Sequence, residues 1–232
     1  MRHAGLETAE ALRLGDRSQL GSDLMKAEQP VVFVVDDDAS VRAAVARALR
    51  TVGLEVESFG STREFLQSKR RDAPGCLVLD VRLPGASGME LQRELMKSNI
   101  NLPVIFISAH GDIPMSVRAI KSGAIEFLTK PLREQELLDA VNAGIERDRA
   151  RRQEAMFVAE LQQCYNSLTP REREVLALVV SGRPNKQIAA QLELSEVTVK
   201  VHRSQISRKM RATSLVELVR IADKLGVSSE TR

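Results

Sequence analysis

"VVFVVDDDAS", residues 31–40, runs five apolar residues directly into three aspartates. Val31 to Val35 are β-branched or aromatic with no polar alternation, the pattern of a strand buried on both faces. Such a strand belongs inside a parallel sheet, where sites form at the carboxyl ends of the strands. Asp36, Asp37 and Asp38 therefore mark a rim of concentrated negative charge.

The same unit recurs on the C-terminal side. Val41, Val45 and Leu49 stand four residues apart and predict a helix to about residue 52, which Gly53 ends. "LEVESF" (54–59) alternates apolar and polar residues, and "STREFL" (61–66) opens a helix with a Ser61–Glu64 capping box. "CLVLD" (76–80), "PVIFIS" (103–108) and "AIEFLTK" (124–130) read as further strands. Between and after them lie helices "MELQRELMKS" (89–98), "IPMSVRAIKS" (113–122) and a last one carrying Leu137, Leu138, Val141 and Ile145. Five such units over 31–147 predict an α/β doubly wound, five-stranded parallel sheet. "ERDRARRQE" (146–154) continues the last helix as a solvated connector, with Met156 and Ala159 as a candidate seam for a second copy. The linker is set at 148–166. Beyond it strand signals stop, and 167–232 reads as an all-α domain of four short helices.

The 232 residues accommodate two domains of ordinary size. No apolar run approaches the roughly 20 residues that span a bilayer. No basic segment precedes an apolar core at the start, so no secretory leader is expected. Cys76 and Cys164 are too few for a disulfide framework and fit a reducing, cytoplasmic setting. Residues 1–30 lack apolar periodicity and are expected to be a mobile extension, with Met25 as a candidate start. The net charge of +3 is uneven: the positive excess lies in 166–232. There Lys200, Arg203, Arg208, Lys209 and Arg211 face only Glu196 as a nearby acid, which points to a polyanionic partner.

The strand ends carry the chemistry. Asp36 and Asp37 close the first strand, Asp80 the third, Ser108 the fourth and Lys130 the fifth, so all five converge on one rim. Carboxylates gathered there repel unless a hard divalent cation sits among them, and Mg²⁺ takes such oxygen ligands. Lys130 adds a positive charge and Ser108 a hydroxyl. Together they suit a phosphoryl group, with Asp80 available as nucleophile. Asp38 serves better as helix N-terminal charge. His110 has no partner at metal-ligand spacing and is expected at the surface.

"VVDDD", "LVLDVRLPGASGMEL", "FISA" and "FLTKP" resemble, in order and spacing, the receiver domain of two-component response regulators, a flavodoxin-like fold. The resemblance implies that Asp80 accepts phosphate from a sensor histidine kinase. It implies Mg²⁺ held by Asp36, Asp37, Asp80 and the backbone carbonyl of Arg82, with Lys130 on the phosphate and a cis Lys130–Pro131 bond. Ser108 and Phe127 match the family's switch pair, which re-forms the surface of the fourth helix, fifth strand and fifth helix.

In the last domain Thr169, Pro170 and Glu172 form a helix start with a capping box. Leu176 with Val179 or Val180 gives that helix its apolar face. "NKQIAAQLEL" (185–194) is a short second helix, and Ser195 caps "EVTVKVHRSQISRKM" (196–210). At 100° per residue, Val199, Ile206 and Met210 share one seam, and Lys200, Val201, Ser204 and Arg208 fall opposite. That is the design of a major-groove reader. His202 projects to the border of the seam. Leu215, Leu218, Ala222 and Leu225 are expected to hold the last helix, leaving Val216 and Val219 outward. "LTPREREVL", "NKQIAAQL" and "SEVTVKVHRSQI" resemble the LuxR-type helix-turn-helix of FixJ- and NarL-like regulators. The resemblance implies base contacts by Lys200, Val201 and Ser204, and phosphate contacts by Arg203, Arg208, Lys209 and Arg211. It also implies a dimer on phosphorylation, double-stranded DNA as ligand, and RNA polymerase as a further partner.

The reading is thus a phosphorylation-controlled transcription factor, not an enzyme and not a membrane protein. A D-x-D phosphatase fits less well, because Ala39-Ser40 follows the acids and no paired acids follow Lys130 at a strand end. A pseudo-receiver that binds DNA constitutively conflicts with the complete acid, serine and lysine set.

Overall fold

The computed structural model describes residues 29–109 and 112–227. The expectations for the N-terminal extension, for Met25 and for His110 fall outside these residues. The chain packs as two units divided between Arg152 and Gln153.

The first unit alternates β1 (Val31–Val35), α1 (Ala39–Thr51), β2 (Glu55–Phe59), α2 (Thr62–Gln67), β3 (Gly75–Asp80), α3 (Gly88–Lys97), β4 (Val104–Ser108), α4 (Ile113–Lys121) and β5 (Glu126–Thr129). Helix α5 (Glu134–Asn166) follows β5 and runs on into the second unit. All strands are parallel, in the order β2-β1-β3-β4-β5. The order reverses at β1 and β3, and the crevice at their carboxyl ends is where such folds bind ligands.

Burial follows the pleat. Val31, Phe33 and Val35 face one layer with Phe65, Leu77, Leu79 and Phe106. Val32 and Val34 face the other with Val45, Leu49, Val78, Ile105 and Ile107. Phe65, fully buried, meets Phe33 and Phe59 edge to face at centroid distances of 5.8 and 5.4 Å. Both faces of the sheet are therefore covered, as the unbroken apolar runs require.

Asp38 caps α1, accepting from the Ser40 and Val41 amides. Ser61 caps α2, but the expected box is only half formed, because the Glu64 carboxylate accepts from Gly60 instead of Ser61. The fifth strand is shorter than its sequence run: the Ala124 amide donates back to Ala119 of α4, and Ile125, just ahead of the strand, donates to the Val104 carbonyl of β4.

The second unit joins the end of α5 to α6 (Pro170–Val180), α7 (Asn185–Leu192), α8 (Glu196–Lys209) and α9 (Leu215–Lys224). Its core gathers Leu161, Val175, Leu176, Ile188, Val199, Ile206, Met210, Leu218 and Ile221. The turn between α7 and α8 opens at Glu193, in the left-handed region at φ 54°. The expectation that Leu215 packs inward is corrected: it is 48% exposed at the first turn of α9, and Ile221 is buried instead. Among the described residues no helix is long and apolar enough to cross a membrane.

Candidate functional site

Parallel pairing aligns the strand ends and brings the acids together. Oxygens of Asp36, Asp37 and Asp80 all lie within 4.8 Å of one another. Asp36 and Asp80 are buried, and Asp37 is exposed. The Lys130 ammonium donates to Asp36 Oδ2 and to Asp80 Oδ2, each at 2.6 Å. The other oxygens are committed as well: Asp36 Oδ1 accepts from the Asp38 amide at 2.8 Å, and Asp80 Oδ1 from the Arg82 amide at 3.0 Å. Arg42 donates to the Asp36 carbonyl at 2.5 Å and so fixes the start of the loop into α1.

Ser108 is fully buried at the end of β4, and its carbonyl accepts from the Lys130 amide at 2.8 Å. The Lys130–Pro131 bond is cis. Phe127 is half-buried against the first core layer. Gly88 permits a close approach on the other side of Asp80, because a Cβ there would stand 2.2 Å from the Asp80 carbonyl oxygen.

The charge balance is incomplete. Three carboxylates share one ammonium, and burial pushes the Asp36 carboxyl above its ordinary pKa despite the bond to Lys130. Burial also works against the Lys130 ammonium, yet its bonds to Asp36 and Asp80 outweigh this and raise its pKa. A compact set of hard oxygens with an excess of negative charge fits a small divalent cation.

The second unit presents a different surface. Val199 and Ile206 on α8 and Met210 at its C-cap are fully buried, while Lys200, Val201, Ser204 and Arg208 face solvent. Arg211, just beyond α8, is exposed too. Two of the anticipated basic residues are engaged internally. Arg203 donates to Asn185 Oδ1 at 2.8 Å, bracing α8 on α7. Lys209 donates to Glu172 Oε2 at 2.6 Å and to the Ser167 carbonyl at 3.3 Å. His202 is half-buried, consistent with its position at the border of the seam.

Sequence reasoning overlooked Asp148. It lies in the stretch expected to be a solvated connector, but it is fully buried, accepting from the Gly75 amide at 3.1 Å and from Arg151 and Arg152. The Arg residues three and four places on were a legible signal of ion pairing. The partner from β3 was not.

Comparison with known proteins matches a family to each unit. The family described as response regulator receiver domain matches residues 32–142. The family described as bacterial regulatory proteins, luxR family, matches residues 166–222. Nodulation protein W of Bradyrhizobium diazoefficiens is 53% identical over 90% of this chain and 92% of its own. Response regulator protein TodT of Pseudomonas putida is 47% identical over 91% and 93%. The solved structure of response regulator StyR superposes with a TM-score of 0.74 at 51% identity, covering 84% of this chain and 99% of its own. The chain therefore belongs to the response regulators that join a receiver domain to a LuxR-type DNA-binding domain and regulate transcription.

Proposed function

We propose that Asp80 is the phosphoacceptor of this regulator and that its phosphorylation controls dimerisation and DNA affinity. The observation that carries the reading is the placement of the Asp80 carboxylate, 2.6 Å from the Lys130 ammonium and clustered with Asp36 and Asp37. An oxygen of Asp80 attacks the phosphorus of a sensor kinase's phosphohistidine. A P–O bond forms as the P–N bond breaks, and the leaving imidazole nitrogen takes a proton. Asp36, Asp37, Asp80 and the Arg82 carbonyl would hold Mg²⁺, which when bound offsets charge on the transferring phosphoryl oxygens. Lys130 pairs with the phosphoryl group once Asp80 carries it. Ser108 then meets a phosphoryl oxygen, and Phe127 moves into the space beside it, re-forming the surface of α4, β5 and the start of α5.

On the DNA side, Lys200, Val201 and Ser204 meet base edges, and Arg208 and Arg211 meet phosphates. Arg203 and Lys209 hold α8 in place through Asn185 and Glu172, and their remaining N–H donors meet phosphates. The protein acts in the cytoplasm as a dimer when phosphorylated, with RNA polymerase as its further partner.

Incubation with Mg²⁺ and a small phosphodonor, followed by reductive trapping of the acyl phosphate and peptide mass spectrometry, tests the acceptor. Modification of the peptide containing Asp80 is expected. Labelling of another residue, or none, contradicts the reading.

A further inference from the structure

Two valines stand on the solvent side of α8 where neither packing nor helix preference calls for them. Val197 is 69% exposed and Val201 is 50% exposed. They lie one turn apart, so their side chains are neighbours on the helix surface. Taking Val197 as origin at 100° per residue, Arg208, Val201 and Ser204 fall within about 40° of it and Lys200 within about 60°. The buried seam of Val199, Ile206 and Met210 lies on the opposite side. Val197 therefore occupies the middle of the outward face, in the first turn of the helix.

A β-branched residue is a poor helix former, and at an exposed position no burial offsets that cost. Scattered exposed apolar residues are ordinary. A pair stacked on the first two turns, flanked by Lys200 and Ser204, forms a short apolar strip with a polar border. In helix-turn-helix proteins the N-terminal residues of this helix are the ones that meet base edges. The base-edge group that an apolar strip recognises in the major groove is the thymine C5-methyl. Valine suits it, because its single preferred χ1 rotamer in a helix fixes the methyls before binding.

We propose that Val197 is a specificity-determining residue, forming with Val201 an apolar strip that selects thymine methyls at neighbouring steps of the operator. Ser204 and Lys200 border the strip and supply the polar contacts. The inference rests on the reading that α8 enters the major groove, and it adds a base contact to that reading.

The test uses the full chain carrying beryllofluoride as phosphoryl mimic. Binding sites are first selected from random DNA; each preferred thymine is then replaced by uracil, which lacks only the methyl. Losing one buried methyl corresponds to roughly a fourfold drop in affinity. The wild type is expected to show that drop at two neighbouring thymines. V197A should bind the parent site about fourfold more weakly and become insensitive to uracil at one of the two positions. V201A should become insensitive at the other. Alanine is the better helix former, so circular dichroism should show both variants folded. Equal uracil sensitivity in the wild type and V197A at every position overturns the proposal while leaving groove binding intact. Failure of the wild type to select any site overturns the groove reading, and the proposal with it.

Discussion

Asp36 and Asp37 are adjacent in sequence yet differ fully in environment, one buried against Lys130 and the other exposed. The sequence located both at a strand end, because the apolar run ends where they begin. It could not show which would be buried, since that depends on β3 pairing beside β1 and on Lys130 reaching in from the end of β5. Lys130 and Asp80 were legible by the same logic of strand ends. The role of Gly88 was not, because its neighbour is a backbone oxygen eight residues away. A methyl at Gly88 would sit 2.2 Å from the Asp80 carbonyl oxygen, so the end of β3 must shift. Gly88→Ala should therefore slow phosphoryl uptake by at least roughly tenfold, because reaction geometry tolerates little displacement. The rate of uptake from a small phosphodonor measures this, and a wild-type rate would show that Asp80 is not held from this side.

Helix α8 is held at its middle and its last turn by polar contacts that periodicity alone does not reveal. The Thr169–Glu172 capping box was legible from spacing, and the structure forms it in full. Glu172 does more than cap, because Oε2 also receives the Lys209 ammonium and ties the start of α6 to the last turn of α8. The resemblance places Lys209 on a DNA phosphate, and the packing of α8 on α6 also brings its ammonium to Glu172. Burial pushes the Glu172 carboxyl upward, but its bonds to Lys209 and Thr169 prevail and hold its pKa below the ordinary 4.5. A carboxylate depressed in the folded state contributes stability that is present above its unfolded pKa. That stability is lost as the pH falls through the folded value. Lys209→Met should cost about 2 kcal/mol at neutral pH by leaving a buried acceptor short of a partner. The difference from wild type should shrink as the pH falls through the depressed folded value, where Glu172 takes up its proton. Urea unfolding followed by tyrosine fluorescence reports on the second unit, since Tyr165 is the chain's single tyrosine and the chain has no tryptophan. A pH-independent difference would assign Lys209 no ion-pair role.

For the molecule as a whole, the alternation of strands and helices, the later all-helical stretch and the charge excess within it were enough to foresee both architectures. The joint between them was less legible. Helix α5 is continuous from Glu134 to Asn166, and Asp148 fastens it to the start of β3 through Gly75. The highly charged sequence around Asp148 looks solvated, and only the three-dimensional neighbour explains the burial. On the proposed mechanism, the state of Asp80 sets the DNA affinity of α8. The direct measurement is DNA affinity, with sedimentation alongside, for the wild type and Asp80→Asn in Mg²⁺ with and without beryllofluoride. Beryllofluoride is expected to make the wild type a dimer and to tighten its DNA binding at least tenfold, which corresponds to about 1.4 kcal/mol of coupling. Asp80→Asn is expected to respond in neither measurement. Equal affinities for wild type and variant, unmoved by beryllofluoride, would contradict this mechanism.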